Sequence, residues 1–470
     1  MSRLFATRPG DDGLPGPERR LAVLALILGT LMAVVDTTMV NIALPSIAAG
    51  LEVSASRAVW VTNLFQITCA AFLLVFAALS ELLSRRRLYV AGVAVFTLAA
   101  LGSALSQSLE SLLVFRALQG LGAAATLSIG PSIYRQIFPS RLLGSALGLS
   151  ALVVAAGYAA GPAIGGVLLS LADWPWLFAL HLPLGAVAVV LAWRALPRET
   201  ARPGGFDWQG ALLSVAMLAG LFVAMDGVGH GMSVVGIAAW AGGSLVAAML
   251  FLWRQRRAPH PLLPLSLFAE RRFSLALAAQ GSAFVGQGVA FVALSFLFQQ
   301  AMGFSPLETA WLFTPWPLAI MLVGPLAGRL ADRLNPSLLA SAGLALLVAG
   351  LASLARLEAE AGVVEVLWRM ALCGIGFGLF QPPNNRELIG SVPRERSANA
   401  SGAMSTSRTV GQSLGVALVG AFLAAGIAVQ ATLWLGALTS LLALLASLAR
   451  LPLAAAAQRE RRAVEAAGGD

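Results

Sequence analysis

The chain has 470 residues, of which 58% are hydrophobic and only 11% are charged. Soluble domains carry roughly a quarter charged residues, so this composition predicts an integral membrane protein and excludes an ordinary soluble fold. The formal net charge is +9. Its arginines lie in short clusters between apolar runs, which is typical of membrane topology and not of a nucleic-acid-binding surface.

The residue types that are present exclude several chemistries. The sequence contains no lysine, and a Walker A phosphate loop requires one, so transport driven by the chain's own ATP hydrolysis is excluded. His181, His230 and His260 share no metal-ligand spacing. We therefore expect no cofactor, no metal and no enzymatic activity, and the energy for transport must come from a gradient.

Fourteen apolar runs are long enough to cross a bilayer, which takes about 20 residues. The runs lie near 21–44, 58–79, 88–106, 111–134, 142–170, 176–196, 208–227, 234–253, 273–301, 309–328, 337–355, 363–385, 398–425 and 431–450. The first run is too long for a signal-peptide core, so we expect a retained first span. Arginines concentrate in alternate connections, which predicts that both termini are cytoplasmic. Because the runs are continuous, a β-barrel is excluded.

An acidic residue, Asp36, lies inside the first apolar run. An ionised carboxylate without a partner costs several kcal/mol in an apolar medium, so this position predicts a special role. Thr37, Thr38 and Asn41 make its neighbourhood polar, and we expect Pro45 to end the helix. Asp36 either binds a proton or hydrogen-bonds the end of a neighbouring helix.

Other charged residues in the runs are candidates for coupling. Arg116 stays charged in proteins, so it is either the partner of an acid in a coupling mechanism or a structural arginine that fixes helix ends. Asp226 and Glu308 are secondary acid candidates. Their alternatives are a structural role for Asp226 and a first-turn acid favoured by the helix dipole for Glu308. Glu365 and Arg369 are four residues apart, which predicts a local ion pair.

Two connections resemble one another and indicate an internal repeat. Each places an acid four residues after a small residue at a helix end, with arginine close behind: Ala77–Arg87, with Glu81 and Arg85, and Gly328–Asn335, with Asp332 and Arg333. Such repeats are common in secondary transporters. We therefore predict a six-helix bundle over 1–197, an inserted two-helix segment over 198–257, and a second six-helix bundle with a tail over 258–470.

Polar stripes at helical spacing indicate where a substrate cavity lies. The members are Thr62, Gln66 and Cys69 in the second run and Gln280, Phe284, Gln287, Phe291 and Ser295 in the ninth. Amides mixed with aromatic rings suit an amphipathic or lipophilic cationic substrate better than a sugar. As an alternative, the glutamines hydrogen-bond between helices and only hold them together.

The fifth run contains small residues four apart together with a proline, at Gly157, Gly161, Pro162, Gly165 and Gly166. This spacing allows close helix packing, and the whole string looks like the antiporter signature in the fifth helix of the major facilitator superfamily. The Asp36 stretch resembles the first-helix motif of the fourteen-helix drug:proton antiporter family. Further resemblances are Leu112–Gly122 with Arg116, Gln119 and Gly120, Trp174–Phe178, Phe206–Gly210, and the stretch from Ala400 to Gly415 with Arg408.

The sequence departs from the family pattern at several positions. The Glu81 connection resembles the superfamily's cytoplasmic gating loop, although Ala77, Glu81 and Ser84 stand where Gly, Asp and Gly are usual. Pro175 and His181 replace the common arginine and asparagine after the fifth span. In span 13, Thr409 and Gln412 replace a Gln and a Gly. These departures either alter the choice of substrate or have no effect on it.

The resemblance implies an all-α integral membrane protein with the major facilitator fold, in which fourteen transmembrane helices form two six-helix bundles plus two inserted helices. It implies a proton-coupled antiporter that exports hydrophobic or cationic drugs across the cytoplasmic membrane of a bacterium by alternating access, using the proton gradient. Asp36 and Arg116 would couple the proton. The substrate cavity would include Thr38, Asn41, Thr62, Gln66, Gln119, Gln280, Gln287, Phe291 and Arg408.

The expected partners are lipophilic small molecules, protons and membrane lipids. We expect no nucleic acid, and we expect a monomer. Two alternatives to a multidrug exporter stay open. The first is a dedicated exporter of one metabolite, such as a siderophore, an amino acid or an antibiotic. The second is a membrane sensor that transports nothing. An enzyme has no candidate constellation of nucleophile, base or metal.

Overall fold

The computed structural model describes residues 11–139, 142–198, 205–229, 231–263, 265–331, 334–358, 360–392 and 397–452. Within these residues the chain is helical and contains no strand, as the apolar runs predict. The helices are α1 Gly16–Gly50, α2 Ala55–Leu82, α3 Arg85–Ala104, α4 Leu109–Ile137, α5 Leu143–Leu171, α6 Pro175–Ala179, α7 His181–Ala195, α8 Trp208–Gly229, α9 Val234–Arg257, α10 Arg271–Phe296, α11 Pro306–Phe313, α12 Pro315–Leu330, α13 Pro336–Leu354, α14 Val363–Gly390, α15 Ser397–Ala424 and α16 Val429–Leu448.

Thirteen spans among the described residues are long and apolar enough to cross a membrane. One of them combines α6 with α7, another combines α11 with α12, and a third joins α10 to a π-helical turn over Leu297–Ala301. The helix α15 adds a further segment of 28 residues, which brings the count in this part of the chain to the predicted fourteen. The helices extend beyond several apolar runs, because backbone hydrogen bonding continues into polar helix ends.

The prediction that Pro45 ends the first helix is wrong. The helix α1 continues through Pro45 to Gly50. Proline removes one backbone donor and disturbs the carbonyl four residues earlier, and nearby polar groups can compensate for this in a membrane helix. Here the Gln299 side-chain amide in the π-helical turn donates to the Ile42 carbonyl at 2.8 Å. This bond lies one residue from the Asn41 carbonyl, which loses its donor at Pro45, so a neighbouring segment supplies a polar group at the turn that the proline disturbs.

The chain divides into two compact units. The first comprises residues 1–262, 294–311 and 416–426. In this unit α4 packs against α2 and α3, while α1 packs against α5 and α7. The α8–α9 hairpin belongs to the same unit, where α8 contacts α2. An apolar cluster of this unit joins α1, α2, α3, α4 and α7 around buried rings such as Tyr89, Phe96 and Phe138.

The second unit comprises residues 263–293, 312–415 and 427–470. In this unit α14 packs against α12 and α13, and α13 packs against α16. The helix α10 approaches α15 closely, since a side chain at Gly415 would meet the backbone of Val285 and Val289. The predicted boundaries at 197/198 and 257/258 follow the repeat and the polar connections, and they stay a prediction.

Candidate functional site

The first unit contains a fully buried ion pair between α1 and α4. The Arg116 Nη1 atom donates to both carboxylate oxygens of Asp36, at 3.0 Å to Oδ1 and 2.8 Å to Oδ2. Both side chains are 0% exposed. Taking two charges out of water is costly, and their mutual attraction offsets the cost only with good geometry and additional hydrogen bonds. The two leading coupling candidates of the sequence thus lie together, 80 residues apart in the chain.

Neutral groups also surround the Arg116 guanidinium. Its Nε donates to the Val61 carbonyl at 2.9 Å, and its Nη1 donates to Gln119 Oε1, also at 2.9 Å. The centre of the guanidinium lies 4.4 Å from the Phe65 ring and 5.4 Å from the Phe178 ring. Aromatic faces attract cations, most strongly where water is absent. The arginine charge is therefore stabilised by the carboxylate and by groups that do not titrate.

Glycines of α5 allow α1 to approach beside Asp36. A Cβ atom at Gly157 would lie 2.9 Å from Val34 Cγ1, and one at Gly165 would lie 2.9 Å from Met39 Cγ. A Cβ atom at Gly161 would overlap the Thr38 side chain. The helix continues through the buried Pro162. A Cβ atom at Gly166 would instead meet Ala310 and the Pro306 carbonyl. The predicted motif thus forms the contact surface between α5 and the Asp36 helix.

Several other polar atoms near this pair are buried and have no hydrogen-bond partner among the described residues. They are Arg116 Nη2, Gln119 Nε2, Asn41 Oδ1, Thr62 Oγ1, Asn63 Oδ1, Gln66 Oε1 and His181 Nδ1. Buried polar groups in native proteins are normally bonded, and each exception calls for an explanation such as a water, an ion or a catalytic role. Five of these residues, all except Asn63 and His181, are among the predicted coupling or cavity residues.

His181 belongs to this group although the sequence indicated only a departure from the family pattern. It is 1% exposed and is the first residue of α7. Its ring packs edge-on against Phe96 with the centroids 5.4 Å apart. Phe96 in turn contacts Phe65, the ring beside the Arg116 guanidinium. The signal that could have found it was the replacement of a family asparagine by a titratable residue.

The predicted cavity residues of the second unit are bonded to one another and to backbone. Gln287 Oε1 accepts from Gln412 Nε2 at 3.1 Å, and Gln280 Nε2 donates to the Met404 carbonyl at 2.7 Å. The Phe291 ring lies 5.3 Å from the rings of Phe313 and Trp316. Arg408 is half-buried on α15. These contacts fit the alternative in which glutamines hold helices together, and the substrate cavity stays a prediction.

The remaining acid candidates differ in their surroundings. Glu308 is exposed and forms a capping box, because its Oε2 accepts from the Ser305 N–H and hydroxyl at 2.8 Å and Ser305 Oγ accepts from the Glu308 N–H. The side chain of Asp226 lies outside the described part of the structure. The Glu365–Arg369 ion pair is confirmed, at 3.4 Å.

The two predicted gating connections are described only in part. Arg85 is the first residue of α3 and is half-buried, and Ser84, which replaces a family glycine, caps that helix by accepting from the Arg87 N–H. Gly328 lies on α12, near Pro382 of α14. The side chain of Glu81, and Asp332 and Arg333 as a whole, lie outside the described residues.

A second group of charges, at helix ends of the second unit, was missed by the sequence analysis. Arg272, at the start of α10, donates to Glu387 Oε1 from Nε at 2.9 Å and from Nη2 at 2.5 Å. Arg450, just after α16, donates to Asn384 Oδ1 at 2.8 Å and to Ser447 Oγ at 2.7 Å. Burial lowers the pKa of Arg450 to about 10. No local spacing links these residues, since Arg272 and Glu387 are 115 positions apart.

A third polar group closes the α8–α9 hairpin. Asp207, just before α8, accepts from Arg254 Nε at 2.9 Å, from Gln255 Nε2 at 3.0 Å and from the Gly210 N–H at 3.1 Å. Burial alone would raise the pKa of this carboxyl, but the bonds from Gly210, Arg254 and Gln255 together lower it. This group fastens the two helices of the predicted inserted pair to each other.

The thirteen membrane-length spans among the described residues and the further helix α15 define a multi-pass membrane protein, and the ion pair lies buried inside one of its units. The sequence profile of the Major Facilitator Superfamily matches residues 26–416 and, in a second match, 276–468. The chain belongs to this superfamily. Its members are transporters that bind small molecules, so the prediction that the chain is a transporter and not an enzyme is confirmed.

Named relatives agree with this assignment. The chain is 42% identical to the uncharacterized transporter YebQ of Escherichia coli, over 87% of this chain and 90% of the relative. It is 32% identical to the multidrug resistance protein Stp of Mycobacterium tuberculosis, over 86% of this chain and 76% of the relative. A crystal structure of the peptide transporter POT aligns with a TM-score of 0.69 at 14% identity, covering 96% and 98% of the two chains. That likeness shows the shared fold.

Proposed function

We propose that the protein exports hydrophobic or cationic compounds across the cytoplasmic membrane of a bacterium in exchange for protons, by alternating access. The observation that carries the proposal is the fully buried Asp36–Arg116 ion pair. The name of the relative Stp, a multidrug resistance protein, supports the substrate class. Asp36 is the proposed proton-binding group, and Arg116 is its charged partner.

The surroundings of the pair explain how it can change protonation. Protonation of Asp36 removes the negative charge, and a buried charge that loses its partner is strongly destabilising. Arg116 would then keep its bonds to the Val61 carbonyl and Gln119 Oε1 and its contacts with the two aromatic rings. These neutral groups reduce the free-energy difference between the protonated and ionised states, so that both states are reached during transport.

The net charge of the Asp36–Arg116 pair couples proton binding to substrate binding. With Asp36 ionised the pair is neutral, and with Asp36 protonated it carries one positive charge. A positively charged substrate is therefore repelled after a proton binds and is tolerated after the proton leaves. In this scheme proton and substrate exclude one another, which is the requirement for exchange.

The test is efflux of a lipophilic cationic dye, such as ethidium, from proteoliposomes under an imposed pH gradient. We compare the native chain with Asp36→Asn at matched reconstitution. Glu308→Gln is the matched control, because it removes an exposed carboxyl that caps a helix. We expect gradient-driven flux in the native chain and in the control, and at least about a hundredfold less in Asp36→Asn.

Two results would contradict the proposal in different ways. A native protein that moves no dye from a broad panel under the gradient has a different function, and a single transported compound would mark a dedicated exporter. If Asp36→Asn keeps full gradient-driven flux, another group binds the proton and the Asp36–Arg116 pair is structural.

A further inference from the structure

We infer that His181 is a second proton-binding residue of this site and shares the transported proton with Asp36. The inference rests on the proposed function and deepens it. Three observations carry it. The imidazole is 1% exposed, and its Nδ1 atom has no hydrogen-bond partner among the described residues. Its ring packs on Phe96, which contacts Phe65, and the Phe65 ring lies 4.4 Å from the centre of the Arg116 guanidinium.

Among the described charged groups on the helices around α7, only Asp36 and Arg116 lie close enough to act on the His181 imidazole. α1 contributes Asp36, and its terminal charges Glu18, Arg19 and Arg20 lie more than ten residues from Met32, whose backbone faces the imidazole. α4 contributes Arg116. α6 contains no titratable side chain.

The helix α3 adds no charge near the imidazole. Its arginines lie in its first turn, where Arg86 bonds the Trp193 carbonyl at the far end of α7. The α3 phenol, Tyr89, donates to the Ala25 carbonyl. The face of α3 beside His181 carries the uncharged ring of Phe96.

The proposed step moves one proton and no other charge. The O–H bond of the protonated Asp36 carboxyl breaks, and an N–H bond forms at the imidazole. Asp36 is then ionised again beside Arg116, and the positive charge lies on His181. The Asp36–Arg116 pair is restored while the proton is still held in the site. A carboxyl alone cannot do this, because its protonation always leaves the arginine without its counter-charge.

Opposing influences act on the imidazole. Burial disfavours a positive ring most strongly and Arg116 disfavours it too, whereas the Asp36 carboxylate favours it. Phe96 presents an aromatic surface to the ring, which supports a cation. An asparagine at this position, as in the family pattern, has no such state.

The test compares the pH dependence of dye efflux in the native chain, His181→Asn and His260→Asn. His260 is exposed in the connection between α9 and α10, so it controls for the loss of a histidine. We expect His181→Asn to fold and transport, with the midpoint of its pH profile moved to lower pH by about one unit, a tenfold change in proton affinity. His260→Asn keeps the native midpoint.

A spectroscopic readout separates proton binding from packing. The chain has three histidines, so ¹⁵N-histidine labelling gives few signals, and His181→Asn assigns one of them. We expect this signal to titrate over the pH range of the transport profile, and to titrate at lower pH in Asp36→Asn. A signal that stays neutral from about pH 5 to pH 8, or a His181→Asn profile with the native midpoint and only a lower rate, overturns the inference.

The outcomes for the two proposals are distinguishable. If the native chain shows no gradient-driven flux, the proposed function is refuted. If native flux depends on Asp36 but the pH midpoint is the same in His181→Asn, the role of His181 is refuted and the proposed function stands.

Discussion

The two units bury their charges in different places. In the first unit the ion pair lies inside membrane-length helices, with Asp36 and Arg116 both 0% exposed. In the second unit the pair of Arg272 and Glu387 lies at helix ends, and the Arg272 side chain remains 27% exposed. A charge inside a membrane helix is costly and is typical of a functional site, whereas an arginine at a helix end can reach the interface with its head group. This difference supports the proposal that the proton binds in the first unit, and it gives the Arg272–Glu387 pair the role of holding helix ends together.

The strongest test of this comparison removes one partner of the interior pair. We expect Arg116→Ala to lower the free energy of unfolding by about 3–5 kcal/mol, because it leaves Asp36 as a buried charge without its partner. Unfolding in mixed detergent micelles measures the effect. The double variant Asp36→Asn with Arg116→Gln has no net charge to bury and should recover most of the loss. A double variant as unstable as Arg116→Ala would show that the pair's charge is not the cause.

Breaking the Arg272–Glu387 pair should destabilise the second unit without changing the coupling of transport to protons. We expect Glu387→Gln to cost about 1–3 kcal/mol, since a charge-assisted bond to Arg272 is lost but the arginine still reaches solvent. The pH midpoint of dye efflux should stay at the native value in the same preparation. A shift of that midpoint would mean that the second unit also takes part in proton coupling.

The close approach of α1 and α5 supports the interior pair and can be tested by adding a methyl group. A side chain at Gly161 would overlap Thr38 and lie 3.1 Å from the Val35 carbonyl. We expect Gly161→Ala to destabilise the protein by about 1–3 kcal/mol through overpacking. Gly402→Ala in α15 is the matched control, because nothing lies within 4 Å of its added Cβ atom. Equal stability of the two variants would refute close packing at Gly161.

Asp207 and Arg254 form an ion pair at helix ends, like Arg272 and Glu387, but they lie in the first unit, like Asp36 and Arg116. The Asp207 group therefore tests whether the effect of an ion pair depends on its position in the helix or on the unit that contains it. Its pKa is lowered below the unfolded value of about 3.9. Its contribution is therefore fully present above that value and is lost as the pH falls through the lower folded pKa. We expect Asp207→Asn to be about 1 kcal/mol less stable than the native chain at pH 7, with the difference shrinking below about pH 4. Unfolding measured between pH 3 and pH 7 checks this. A difference that is constant over this range would show that the carboxylate charge contributes nothing.

The apolar runs determined the fold class by themselves. A segment of about 20 apolar residues can satisfy its backbone in a bilayer only as a helix, so the fourteen runs predict the helices whatever their neighbours are. The same reasoning failed at Pro45, because neighbouring segments can accommodate a proline inside a membrane helix. Here Gln299, more than 250 residues away, bonds to the Ile42 carbonyl in the turn before the proline.

The sequence also determined which interior side chains need an explanation, because the cost of a buried charge does not depend on the fold. That cost identified Asp36 and Arg116 before any contact was known. Only the tertiary structure decided which groups meet. It joined Asp36 to Arg116 across 80 residues, placed His181 among their neighbours, and revealed the pair of Arg272 and Glu387 across 115 residues. Such contacts depend on how helices pack, and helix packing is set by side chains from many distant segments at once.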